Sequence, residues 1–160
     1  MSALLPETAL AVYRFDDFET GLLPVLRQLL LSFEAPESRA WQQGYSVAAE
    51  RWGEAIGLPA AHALMKLVRA VLESREGQFN FIDPFDLECR GGVTADEAAL
   101  LRMLHYMRRD QTPKARDAVA DVTCGFMDPH VILAGLGFAS RFSAGQEAGR
   151  HEAPLLRVVA

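Results

Sequence analysis

The stretch that decides the fold runs from Thr94 to Arg109, TADEAALLRMLHYMRR. Thr94, followed three residues later by Glu97, is a capping box. The hydroxyl accepts the backbone N–H of Glu97, and the glutamate reaches back to the N–H of Thr94. Leu100, Met103, Leu104 and Met107 then recur at the spacing of one helical face. This face turns His105, Arg102 and Arg109 toward the opposite side.

On the C-terminal side the same signals repeat. Thr112-Pro113 reads as an N-cap followed by proline at the first helical position, with Ala115, Ala118, Val119 and Val122 facing inward. Asp128-Pro129 starts another helix by the same logic, running to about Phe142. Val131, Ile132, Leu136, Ala139 and Phe142 make that helix strongly apolar. Gly135 and Gly137 lower its intrinsic propensity, which is tolerable where another helix backbone approaches closely. From 143 to 160 the periodicity fades into a tail carrying Leu155, Leu156, Val158 and Val159.

On the N-terminal side, Thr20 to Phe33 is apolar over most of its circumference, interrupted only by Arg27, Gln28 and Ser32. A helix of this kind is central in a fold or covered by another subunit. Pro24 reads as a first-turn proline. Glu37 to Ile56 carries a stripe of Trp41, Gly44, Tyr45, Ala48, Trp52, Ala55 and Ile56; Gly57 then reads as a stop and Pro59 as a new start. The next helix turns Leu64, Leu67, Val68, Val71 and Leu72 inward and His62, Lys66, Arg69 and Glu73 outward. Between the two helical halves, residues 75–93 have no helical period but contain Phe79, Phe81, Ile82, Phe85 and Leu87. A loop of this length is uncommon unless it has a job. Its aromatics are expected to pin it over the bundle, and the alternation Phe79-Asn80-Phe81 permits a strand with no obvious partner.

The expected fold is therefore all-α: a single-domain bundle of five to six helices with one long aromatic loop at about 75–93. Residues 1–19 form an arm, 20–74 and 94–142 the two helical halves sharing one core, and 143–160 a tail. With 160 residues and 50 % hydrophobic composition, the chain can bury a core without disulfide staples. The formal net charge of −5 argues against indiscriminate binding to nucleic acid or anionic membrane. Two unclustered cysteines, an N-terminus without a basic or apolar leader, and an apolar run at 131–140 too short to span a bilayer point to a cytoplasmic protein.

The residues bear on three kinds of chemistry. Cys89, His105, Cys124 and His130 are metal-ligating types, but their spacing matches no compact zinc pattern, so no metal and no cofactor is expected. Glu50 and Glu54 lie one turn apart on an outer face. Asp83, Asp86 and Glu88 are a better cluster, since nearby phenyl rings could desolvate one carboxyl; the alternative is that Asp83 and Asp86 simply cap turns around Pro84. With no HExxH, GxSxG, P-loop or GxGxxG motif, the reading is not an enzyme. The segment 94–123 has the length pattern of a helix-turn-helix, and the stretch from Arg90 to Arg116 is locally basic, through Arg90, Arg102, Arg108, Arg109, Lys114 and Arg116. Its second helix, however, would present Asp117 and Asp121 to phosphates.

The function this leaves in front is a cytosolic adaptor or regulatory protein that binds another protein or itself as a homodimer. Phe79, Phe81 and Phe85 are the candidate anchors, and Arg102, Arg108 and Arg109 the candidate polar rim. A DNA-binding regulator using the 94–123 hairpin is the alternative, and a metal- or small-ligand-binding helical protein the third reading.

Overall fold

The protein is described here from a computed structural model, which covers residues 14–146 and the backbone pairing of residues 4 and 5. Six helices account for most of it: α1 (Asp17–Glu34), α2 (Ala40–Trp52), α3 (Glu54–Ser74), α4 (Ala95–Met107), α5 (Thr112–Val122) and α6 (Pro129–Arg141). A two-residue strand, β1 (Leu4–Leu5), pairs antiparallel with β2 (Val93–Thr94). The fold is all-α, as the periodicity predicts. Most of the arm before Phe15 and the tail beyond Gln146 lie outside the described residues.

Consecutive helices fold back on one another in two groups: α1, α2 and α3 pack in sequence, and α4 and α5 form a hairpin. α6 joins the groups by packing on both α3 and α4. One continuous core results, drawing on Leu26 of α1, Ala48 of α2, Leu67 of α3, Leu104 of α4, Val122 of α5 and Phe138 of α6. α3 has the length and hydropathy of a membrane span by composition alone. Its Leu64, Leu67, Val68 and Val71 are buried in this core, and His62, Lys66, Arg69 and Glu73 are exposed.

Four local expectations are corrected. α1 begins at Asp17 rather than Thr20, because Asp16 and Glu19 form a capping box of their own. Pro24 is therefore inside the helix, where it leaves the Thr20 carbonyl without a helical donor. The break between α2 and α3 falls at Gly53, whose φ of +77° only glycine adopts without strain, and not at Gly57. Thr112 is the first residue of α5, and the cap position is Gln111, which makes no side-chain capping bond. Finally, His105 does not face outward. α4 is covered by α5 and α6 on one side and touched by α1 on the other, so Leu101 and His105 are buried together with the predicted face.

Gly57 has a different reason to be glycine. A Cβ at this position would lie 2.2 Å from the carbonyl oxygen of Ala48, where α3 crosses back over α2. A main-chain oxygen inside a helix cannot swing aside, so Gly57→Ala should lower the unfolding free energy by about 2 kcal/mol or more, the cost of overpacking. Urea denaturation checks this; an unchanged midpoint would mean that the two helices are not in backbone contact.

Candidate interaction surface

Two glutamates of the capping boxes organise the interior. The carboxylate of Glu97 accepts the N–H of Thr94 at 2.9 Å, completing the box read from the sequence, and Thr94 Oγ1 accepts the N–H of Glu97 at 3.0 Å. Glu97 is fully buried, and its charge is met by Arg27 of α1, whose Nε donates at 2.8 Å. The rest of the Arg27 guanidinium donates to the carbonyls of Arg90 and Gly92, at 2.9 and 2.6 Å. The other box mirrors it. Glu19 is also fully buried, and Arg108 and Arg109 of the α4 end donate to its Oε2 at 2.5 and 2.7 Å. His105 Nδ1 lies 2.8 Å from Glu19 Oε1, and since an ionised carboxylate only accepts, that nitrogen carries the proton. Arg108 Nε also donates to the carbonyl of Phe142 at 2.5 Å, tying in the end of α6.

These contacts place the sequence candidates. Arg108 is 3 % exposed, with its guanidinium 4.8 Å above the ring of Phe18. Arg109 is partly buried and bridges Glu19 to Asp16, and Arg102 pairs with Asp121 across the α4–α5 hairpin at 2.8 Å. All three arginines are thus engaged by carboxylates of this chain, Arg102 at the surface, which also takes them from the basic face that a DNA-binding hairpin would need. Phe79 is buried, Phe81 half-buried, and Phe85 stands 71 % exposed beside an exposed Leu87. The loop is held less by its aromatics than by charge. Arg75 donates to Asp96 at 3.2 Å and to the Val122 carbonyl at 3.1 Å, and Asp96 accepts the N–H of Asn80 at 2.8 Å.

Asp83 and Asp86 cap turns, accepting the N–H groups of Phe85 and of Glu88 and Cys89. Cys124 and His130 are exposed on either side of the α5–α6 loop, while Cys89 lies in the long loop and His105 inside. Among the described residues no three His, Cys, Asp or Glu side chains converge as metal ligands would. The Asp86 carboxylate, hydrogen-bonded to Cys89, pushes its thiol above the ordinary range and so disfavours the thiolate a metal needs.

The surface feature that sequence reasoning did not single out lies on the other side of α4. Between the end of α4, α5 and α6 runs a groove of about 670 Å³. Its apolar wall comprises Met107, Ala115, Val119, Met127, Ile132 and Leu136; Asp110, Arg116 and Asp117 stand at its rim. The hairpin turn sets one end: Asp110 takes the left-handed conformation (φ 54°), letting Gln111 N–H bond back to the Tyr106 carbonyl at 2.9 Å. The loop after α5 sets the other. Cys124 and Gly125 both have positive φ, and Asp128 then caps α6 by accepting the N–H of His130 at 2.8 Å. Phe126, Met127, Leu133 and Leu136 are 50, 46, 68 and 48 % exposed, so the groove opens onto a wider apolar surface. The signal for it was present in the sequence: α6 carries Leu133 and Leu136 off its buried face. No known protein family, curated protein or solved structure matches the chain.

The ionic cluster at the α1 N-terminus has a pH signature. Burial pushes the Asp16 carboxyl up, but the N–H of Glu19 and the charges of Arg108 and Arg109 outweigh it and hold it below its ordinary value. A carboxyl depressed in the folded state stabilises above its unfolded pKa of about 3.9, and the stabilisation is lost as pH falls through the folded value. Asp16→Asn keeps the N-cap acceptor and removes the charge together with the second oxygen that accepts from Arg108 and Arg109. It should cost on the order of 1 kcal/mol at pH 7 and progressively less as pH falls below the unfolded value. Denaturant titrations across that range check it; a pH-independent gap would assign the loss to capping instead.

Proposed function

We propose that this protein is a helical adaptor or regulatory domain that acts by binding another polypeptide at the surface formed by α5 and α6. The observation that carries the reading is the groove between these helices, continuous with exposed Met127, Leu133 and Leu136. A cleft of this size with an apolar wall and a few charges at its rim suits the apolar face of a helix or an extended segment. Contiguous exposed apolar surface of this kind generally marks a partner site. The mixed signs of Asp110, Arg116 and Asp117 would set the orientation of a bound segment rather than its affinity.

Affinity capture with the wild-type chain and a Leu136→Asp variant in parallel tests the reading. The side chain of Leu136 is half in solvent, so the variant should fold with a thermal midpoint within a few degrees of wild type. The expected result is a stoichiometric protein retained by wild type and reduced at least about tenfold by the variant, since an anchor truncated or charged at an interface costs more than about 1.4 kcal/mol. Identical retained proteins from both baits would remove the groove from consideration. Retention of DNA that falls steeply with salt would favour the hairpin-based alternative.

A further inference from the structure

A buried polar group without a partner marks a second pocket. Gln28 of α1 is 8 % exposed, yet its Oε1 finds no hydrogen-bond donor among the described residues. A buried acceptor left unmet is destabilising, and the usual remedy is an ordered water or a ligand. Gln28 lines a pocket of about 350 Å³ between α1, the first turn of α2 and the long loop, with Leu31 and Phe85 among its walls. One water occupies about 30 Å³ of liquid volume, whereas ligand pockets begin at about 300 Å³. The space is that of a small ligand.

The polar lining has a definite sign. Arg39 is its one charged residue, and no acid lines it among the described residues. Arg39 also holds the N-cap position of α2 in the left-handed conformation (φ 52°), and no side chain caps that helix. Helix starts favour short acceptors such as Ser, Thr, Asp or Asn, and their partial charge is positive. A cation at that end is repelled until an anion joins it. The N–H groups of Ala40 and Gln42 are already engaged, by Ser38 Oγ at 3.2 Å and the Arg39 carbonyl at 3.0 Å. The donors left for an anion are therefore side chains: Arg39 and the exposed amides of Gln42 and Gln43.

Gln28 narrows the choice of anion. Its unmet atom is an acceptor, so the ligand must bring a proton as well as negative charge. Sulfate and carboxylates have none to give near neutral pH. A phosphate does, because its second pKa is about 6. We propose that this pocket binds a phosphate group that keeps one proton. Its O–H donates to Gln28 Oε1, Arg39 and the Gln42 and Gln43 amides donate to its other oxygens, and any organic remainder lies against Leu31 and Phe85. Oε1 is shielded from solvent, and the donor reaches it as the amide turns about its terminal torsion, which is broad for glutamine. None of these residues lines the α5–α6 groove, so the site stands apart from the adaptor reading and gives the long loop a task.

Calorimetric titration of the full chain at about pH 6 with inorganic phosphate, and with sulfate at equal ionic strength, tests this. Phosphate should bind at least about tenfold tighter, although sulfate carries the larger charge, since a hydrogen bond to a charged group contributes that factor or more. Arg39→Gln should weaken both anions about tenfold. Gln28→Met should abolish the preference for phosphate, with a thermal midpoint that holds or rises because an unpartnered amide is removed. Phenyl phosphate binding tighter than inorganic phosphate, with the difference lost in Phe85→Ala, would support an organic phosphate as the ligand; equal binding of the two would support free phosphate. Three results would overturn the proposal: no phosphate heat at about 10 mM, beyond the usual range of small-ligand constants; equal binding of phosphate and sulfate; or a preference that survives Gln28→Met. Arg39 is exposed, so Arg39→Gln should fold even if Gln28→Met does not, and phosphate binding indifferent to it would overturn the proposal equally.

Discussion

Glu19 and Glu97 sit at equivalent places, each the third residue of a helix and each completing a capping box. An exposed glutamate at that position contributes a fraction of a kcal/mol to one helix end. Here both are fully buried, and each is neutralised by an arginine of the other helix: Glu19 of α1 by Arg108 at the end of α4, and Glu97 of α4 by Arg27 of α1. The start of each helix is thereby bound toward the body or end of the other, so α1 and α4 run in opposite directions. Burying such ions costs several kcal/mol each, and pairing returns that only where the remaining lone pairs and protons are also satisfied. They are satisfied here by capped N–H groups, by His105, and by the carbonyls of Arg90, Gly92 and Phe142. Substituting a hydrophobic pair could match the stability, but it would not fix the register of α1 on α4, because apolar contacts tolerate sliding and bidentate ion pairs do not.

The rest of the molecule follows from that register. Arg27 reaches the carbonyls on either side of the Arg90–Gly92 turn, so the same residue that joins the helices also closes the long loop. Arg108 reaches the carbonyl of Phe142, so the same residue that holds α1 also ends α6. With α4 fixed between α1 and α6, its last turn forms the base from which α5 folds back, and the groove is the space α5 and α6 leave between them.

This division explains what was legible in the sequence. Helix number, the Thr94 box, the Asp128 cap and the inward faces of α3 and α5 depend on residues within a few positions of each other, and local spacing exposes them. The clasp depends on pairs separated by 70 and 89 residues, for which no period exists. Arg27 therefore read as an interruption in an apolar helix and His105 as an outward residue, although both are among the most constrained polar groups in the fold. The Asp16–Glu19 box was local and readable. It was obscured because Thr20 and Pro24 offered a competing start three residues later. Of the candidate rim arginines, Arg108 is drawn inside by tertiary acidic partners that no local spacing reveals, whereas Arg102 stays at the surface with Asp121. Of the candidate anchors, the sequence could not separate Phe79, buried under Arg75, from exposed Phe85, since both sit in the same aperiodic segment.

The glycines of α6 carry the argument from fold to surface. At Gly135 a Cβ would lie 2.6 Å from the sulfur of Met107, so its smallness is used up inside, where α6 settles on α4. At Gly137 a Cβ would meet none of the described residues within 4 Å, yet the helix bears the same loss of propensity. Two residues apart on a helix point in nearly opposite directions, so these positions sample the inner and outer faces of one element with the same side chain absent. Inside, the absence is explained by a contact that exists in the monomer. Outside, beside exposed Leu133, no contact among the described residues accounts for it. What distinguishes this face from an ordinary solvated helix is therefore exposed leucine beside a glycine that none of the described residues packs against.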